Sequence, residues 1–172
     1  GGKHMFAEGD WIVYSSTGVC QVSAVGRLQG IPAADREKVY YTLEPYRSRE
    51  NIYIPVDSSV FMRPVISRQQ AEALLKKVPE LDAPVCITRD LKRLRDYYGN
   101  FLKNHTCEDL VRLIRLVREK SRKLEARGGH PRKIDQDYQK RAEELLYTEL
   151  STALHQPYDL VAGQVERQIG NT

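Results

Sequence analysis

Long apolar runs are missing from this chain. Nowhere in its 172 residues does a stretch approach the ~18 uninterrupted apolar residues of a membrane helix, and a mean hydropathy of −0.55 fits a soluble globular protein with no membrane role. Cysteine is almost as scarce. Cys20, Cys86 and Cys107 stand far apart, which speaks against a disulfide framework or a four-ligand zinc site and for a cytoplasmic setting. Nor does one sign of charge dominate, since 27 Lys and Arg face 23 Asp and Glu; a surplus of +4 alone announces no nucleic-acid partner. Repeats and low-complexity tracts are absent as well. Residues 1–4 ahead of Met5, Gly1-Gly2-Lys3-His4, read as an expression leader rather than as part of a domain.

Catalytic signatures are wanting too. There is no Walker loop, no Gly-x-Gly-x-x-Gly and no Gly-x-Ser-x-Gly elbow. His4, His105, His130 and His155 fall in the leader or at expected helix ends, where capping accounts for them, and the neighbours His105 and Cys107 lack a second pair to complete a ligand set. Ser15-Ser16 and Ser58-Ser59 lie in expected turns, where serine bonds its own backbone. Glu143-Glu144 point about 100° apart on a helix and serve solvation. The expectation is a protein that is not an enzyme, with no metal, no cofactor and no small-molecule substrate.

What the chain does have is two halves with different periods. Up to about Ile66 the apolar residues alternate, the mark of half-buried strands. Short strands are expected at 11–14, 19–25, 38–43, 51–56 and 60–66, the first two joined by Ser15-Ser16-Thr17-Gly18 as a hairpin. Five such strands in about sixty residues read as a small β-barrel. From Ser67 the spacing becomes helical, with helices expected at 68–78, 89–104, 107–127, 135–155 and 158–168. Ser67 with Gln70, and Thr106 with Asp109, fit a capping box or a close variant. Gly128-Gly129 and Pro157 supply stops. The fold class is therefore α+β: a β module over 5–66 and an all-α module over 67–169.

Charge divides with the period. Residues 5–66 hold six basic and seven acidic side chains, so the positive surplus belongs to the helices. On a wheel for 89–104, Leu91, Leu94, Tyr98, Phe101 and Leu102 share one face and Arg89, Lys92, Arg93, Asn100 and Lys103 the other. In 107–127 the stripe is Leu110, Leu113, Ile114, Val117 and Leu124, opposed by Arg112, Arg115, Arg122 and Lys123. Between Arg112 and Lys133 nine basic residues meet only Glu119 and Glu125. Like charges this dense repel mildly, and an anionic partner such as a phosphate backbone relieves them.

Specific residues then join the halves. The opening Met5-Phe6-Ala7-Glu8-Gly9-Asp10-Trp11-Ile12-Val13-Tyr14 with Thr17-Gly18-Val19, the central Tyr40-Tyr41-Thr42-Leu43 and Ile52-Tyr53-Ile54-Pro55-Val56, and the closing Arg63-Pro64-Val65 resemble the CarD family of bacterial transcription regulators, also called CdnL. That β module is shared with transcription-repair coupling factors. Tyr97-Tyr98-Gly99-Asn100 and the stretch from Ala142 to Leu150 resemble the family's helical half. The resemblance implies a Tudor- or SH3-like domain that docks by strand addition on the β subunit of RNA polymerase, with contact positions at Arg27, Leu28 and Tyr53, and a helical domain on promoter double-stranded DNA at the upstream edge of the bubble. The implied DNA residues are Arg89, Lys92, Arg93, Tyr97 and Lys103, and the basic cluster adds Arg112, Arg115, Arg122, Lys123 and Lys133. Where the family has a wedge tryptophan, this chain has Arg93, and Tyr97 on the same helix is the alternative stacker. A protein-interaction adaptor and a repair-coupled polymerase accessory factor are the competing functions.

Overall fold

The computed structural model describes residues 5–86 and 88–170, so the leader expected at 1–4 lies outside the described residues. The chain divides into two compact units with the border between Val65 and Ile66. The first contains β1 (Trp11–Tyr14), β2 (Gly18–Gly26), β3 (Tyr40–Pro45), β4 (Ile52–Pro55) and β5 (Met62–Pro64). They form one antiparallel sheet in the order β4-β3-β2-β1-β5, which leaves β4 and β5 at its edges. Nine-residue β2 serves both halves of this sheet, pairing with β1 at its start and with β3 through Gly26. A register shift between Val22 and Ala24 bends it. The bend lets alternate side chains converge on one core of Phe6, Ile12, Cys20, Val22, Tyr41, Leu43 and Ile54.

The second unit begins with α1 (Arg68–Lys77), followed by a 3₁₀ turn at Val78–Glu80, α2 (Leu91–Lys103), α3 (Cys107–Ala126), α4 (Lys133–Leu154) and α5 (Tyr158–Gly170). Ser67 closes a full capping box with Gln70. Thr106 accepts the Asp109 N–H, but the Asp109 carboxylate turns instead to Asn104 and Arg112. Gly128, at φ +81°, follows the end of α3. His105 and His155 take left-handed conformations just past α2 and α4, and His155 is the cap of α4. Helix α4 is the centre of this unit: α1, α2, α3 and α5 all pack on it. Its residues 146–151 are buried on every side, including Glu149, whose carboxylate accepts the Ile66 N–H at 3.0 Å and the Cys107 thiol at 3.2 Å.

Two wheel assignments are corrected. Leu91, placed on the apolar face, is 44% exposed, because α2 docks through Leu94 and Tyr98 and its first turn overhangs. Arg89 is not on the helix at all, since Asp90 is the N-cap and its carboxylate accepts the Arg93 N–H.

Candidate polymerase and nucleic-acid interfaces

In the β unit, the three expected contact positions lie on two features. Arg27 follows the last residue of β2, and with Leu28, Ile31, Pro32 and Arg36 it lines a hollow of about 540 Å³ in the loop to β3. The Tyr40 hydroxyl accepts the Asp35 N–H and pins that loop. Tyr53 sits on edge strand β4 opposite Thr42, 39% exposed, while its neighbour Ile54 faces the core. The Val56 N–H donates to the Val39 carbonyl at 3.0 Å. Antiparallel alternation then makes Tyr41 with Ile54 and Leu43 with Ile52 the bonded pairs. Tyr53 therefore turns its N–H and C=O away from β3, toward the open edge. Pro55, likewise turned outward, has no N–H to offer. Register places the exit of β2 and the end of β4 at the same end of the sheet, because Gly26 and Pro55 both pair with Tyr40.

In the helical unit the cations separate into two populations. Lys92, Arg93 and Lys103 are exposed on α2, as are Arg122 and Lys123 on α3 and Lys133 on α4. Lys123 and Lys133 make only solvent-facing pairs with Glu119 at 3.4 Å and Asp137 at 3.6 Å, which are worth little and yield easily to another anion. Arg89 is exposed too, and its carbonyl accepts a bond from Arg132 Nη1 at 3.0 Å, which draws the starts of α2 and α4 together. Other cations are tied into the fold. Arg112 pairs with Asp109 at 2.8 Å. Arg115 donates to the Val78 carbonyl at 2.8 Å, Arg118 bridges Glu143 and Glu166, and Lys120 reaches the buried Asp135. Arg115, Arg118 and Arg122 also line a groove of about 600 Å³ whose wall includes Asp82 and Glu119. Tyr97 is half-buried and meets Phe101 edge-on at 5.3 Å; burial and then the nearby Cys86 thiol raise its hydroxyl above the ordinary range.

Residues 6–66, which take in every strand of the β unit, match the family model of the CarD-like/TRCF RID domain. The β unit is similar to that domain. No curated protein matches the chain. The match covers the sheet, the hollow beside Arg27 and the edge at Tyr53, while the helical unit stands on its own geometry.

Several residues that organise the helical unit escape a reading by composition. Arg132 was absent from the expected set, yet it touches the segment that carries Arg89. Arg118 and Lys120 were counted with the surface excess. Their wheel positions, about 80° to either side of Leu110, mark them as flanks of the apolar stripe, where a long side chain bends inward to a partner. Asp135 and Glu149 gave no signal, because an acid on a polar-looking helix is ordinarily solvated. Among the described residues no cluster of three His, Cys, Asp or Glu is placed to hold a metal, and no helix is long and apolar enough to cross a membrane.

Proposed function

We propose that this chain is a non-enzymatic transcription regulator that docks on the RNA polymerase β subunit through its β unit and leans on upstream promoter duplex through its helical unit, altering the lifetime of the open complex. The match over residues 6–66 supports a polymerase-interacting, transcription-related role. The observation that carries the docking step is the edge at β4, where Tyr53 offers both an exposed side chain and an outward N–H and C=O. Such an edge accepts a visiting strand, with backbone bonds for affinity and side chains for selectivity. Arg27 and Leu28 flank the same end of the sheet and supply the side-chain component.

For DNA, the exposed cations around α2 and along α3 suit phosphate, with Arg89 just ahead of α2 and Lys92, Arg93 and Lys103 on it. Phosphate contacts position without reading sequence, so promoter choice comes from the polymerase. Tethering makes weak contact sufficient, since a docked module holds its neighbour at an effective concentration on the order of millimolar. Tyr53→Pro is the decisive variant. It deletes one outward N–H and spares the bonds to β3, so capture of a polymerase β fragment by the full-length chain should fall about fivefold or more, one edge hydrogen bond's worth. Undiminished capture by a folded Tyr53→Pro protein would end the edge-docking reading.

A further inference from the structure

Lys120 lies in the densest run of positive charge, but its ammonium is turned inward. Nζ donates to Asp135 Oδ1 at 3.1 Å and to Tyr98 Oη at 3.0 Å, and Tyr98 Oη in turn donates to the same Oδ1 at 2.6 Å. Asp135 is 2% exposed and Tyr98 is fully buried. The three side chains come from three elements: Tyr98 from α2, Lys120 from α3 and Asp135 from the first turn of α4. The Tyr98 ring also packs on Tyr138 of α4 at 5.3 Å, with the Lys120 ammonium 5.5 Å from its centroid. Helix α2 has few other holds: only Leu94 and Tyr98 are buried along it, and its contacts are with α3 and α4.

We infer that Lys120 and Asp135 are positioning residues that fix α2, and with it the exposed Lys92, Arg93 and Lys103, on the α3–α4 pair through the Tyr98 hydroxyl. Lys120 neutralises a carboxylate that would otherwise be buried alone, and the carboxylate orients the tyrosine that anchors the helix. The cation thus acts through another element and not on phosphate. A phosphate-contacting lysine and a positioning lysine leave different marks. Deleting the first lowers the slope of log affinity against log salt by about 0.9, while deleting the second weakens binding without changing the slope. The inference rests on the DNA reading above only for that second readout; the hold on α2 is measurable without DNA.

The test uses the full-length protein as Lys120→Met, Lys120→Arg and the paired Lys120→Met with Asp135→Asn. The paired variant leaves no lone buried charge and so stays folded where the single one fails to fold. Backbone hydrogen exchange is read over 91–103 against 107–126 as internal reference, and binding to a short duplex is measured from 50 to 200 mM salt. The expected result for the paired variant is exchange in α2 about tenfold faster with α3 unchanged, affinity about tenfold lower and the salt slope preserved. Lys120→Arg should keep the α2 protection. Unchanged α2 protection in the paired variant overturns the inference, and so does a fall of about 0.9 in the slope. If the unaltered protein shows no salt-dependent duplex binding, the DNA reading fails and the exchange comparison alone decides the role of Lys120.

Discussion

Two buried groups in this chain show how much one side chain can carry. Glu149 accepts from a part-buried backbone amide at one oxygen and from a buried thiol at the other, so Glu149→Ala removes the acceptor from both. The expected loss is about 2–4 kcal/mol, with Glu149→Gln losing less, measured by urea denaturation; a loss below about 0.5 kcal/mol would mean that the donors find other partners. Cys20 is completely buried in the β core, and burial raises its thiol from 9.0 to about 11. The unfolded thiol ionises first, so the unfolded state holds fewer protons and the stability from keeping Cys20 neutral, complete below about pH 9, is lost as pH climbs through 11. Denaturation at pH 8 and pH 11 should show Cys20→Ala losing about 2–3 kcal/mol less over that window than the unaltered protein. Equal losses would remove the thiol as the cause. Burial likewise raises the Tyr98 hydroxyl, with help from the bond to Asp135.

At the scale of elements, period decided most of what a sequence could reveal. Alternating Trp11 to Tyr14 and Val19 to Val25 became β1 and most of β2, and Ser67 and Pro157 marked helix borders because capping and ring geometry are local chemistry. Helix α4 was legible as a helix but not as the centre, since a segment surrounded by neighbours has no one-sided stripe to betray its place. Of the candidate interface, the strand bearing Tyr53 was legible. The inward turn of Arg118 and Lys120 was not, because a count of charge ignores which side chains border the apolar stripe. Leu91 and Leu94 give the sharpest contrast. Leu94→Ala should cost about 2–5 kcal/mol, whereas Leu91→Ala should stay within about 0.5 kcal/mol. A large loss at Leu91, read by thermal melting of the helical signal, would return it to the core.

For the whole molecule, the division of charge predicts a division of salt response. The β unit spans residues with six basic and seven acidic side chains, and the docking proposed for its edge relies on backbone bonds. The helices hold the positive surplus. Raising salt from 50 to 200 mM should therefore weaken duplex binding roughly 40- to 500-fold for three to five phosphate contacts, while capture of the polymerase fragment changes little. Parallel salt dependence of the two would contradict separate interfaces. The brevity of β4 has a consequence of its own. Four residues long, with one outward position occupied by proline, it offers a visiting strand only a short ladder, the kind of edge that blunts pairing between copies. On the docking proposed above, a counterpart that also fits the hollow beside Arg27 gains contacts a bare strand lacks, so the feature that would open the sheet to a guest would also disfavour fibrillar self-association.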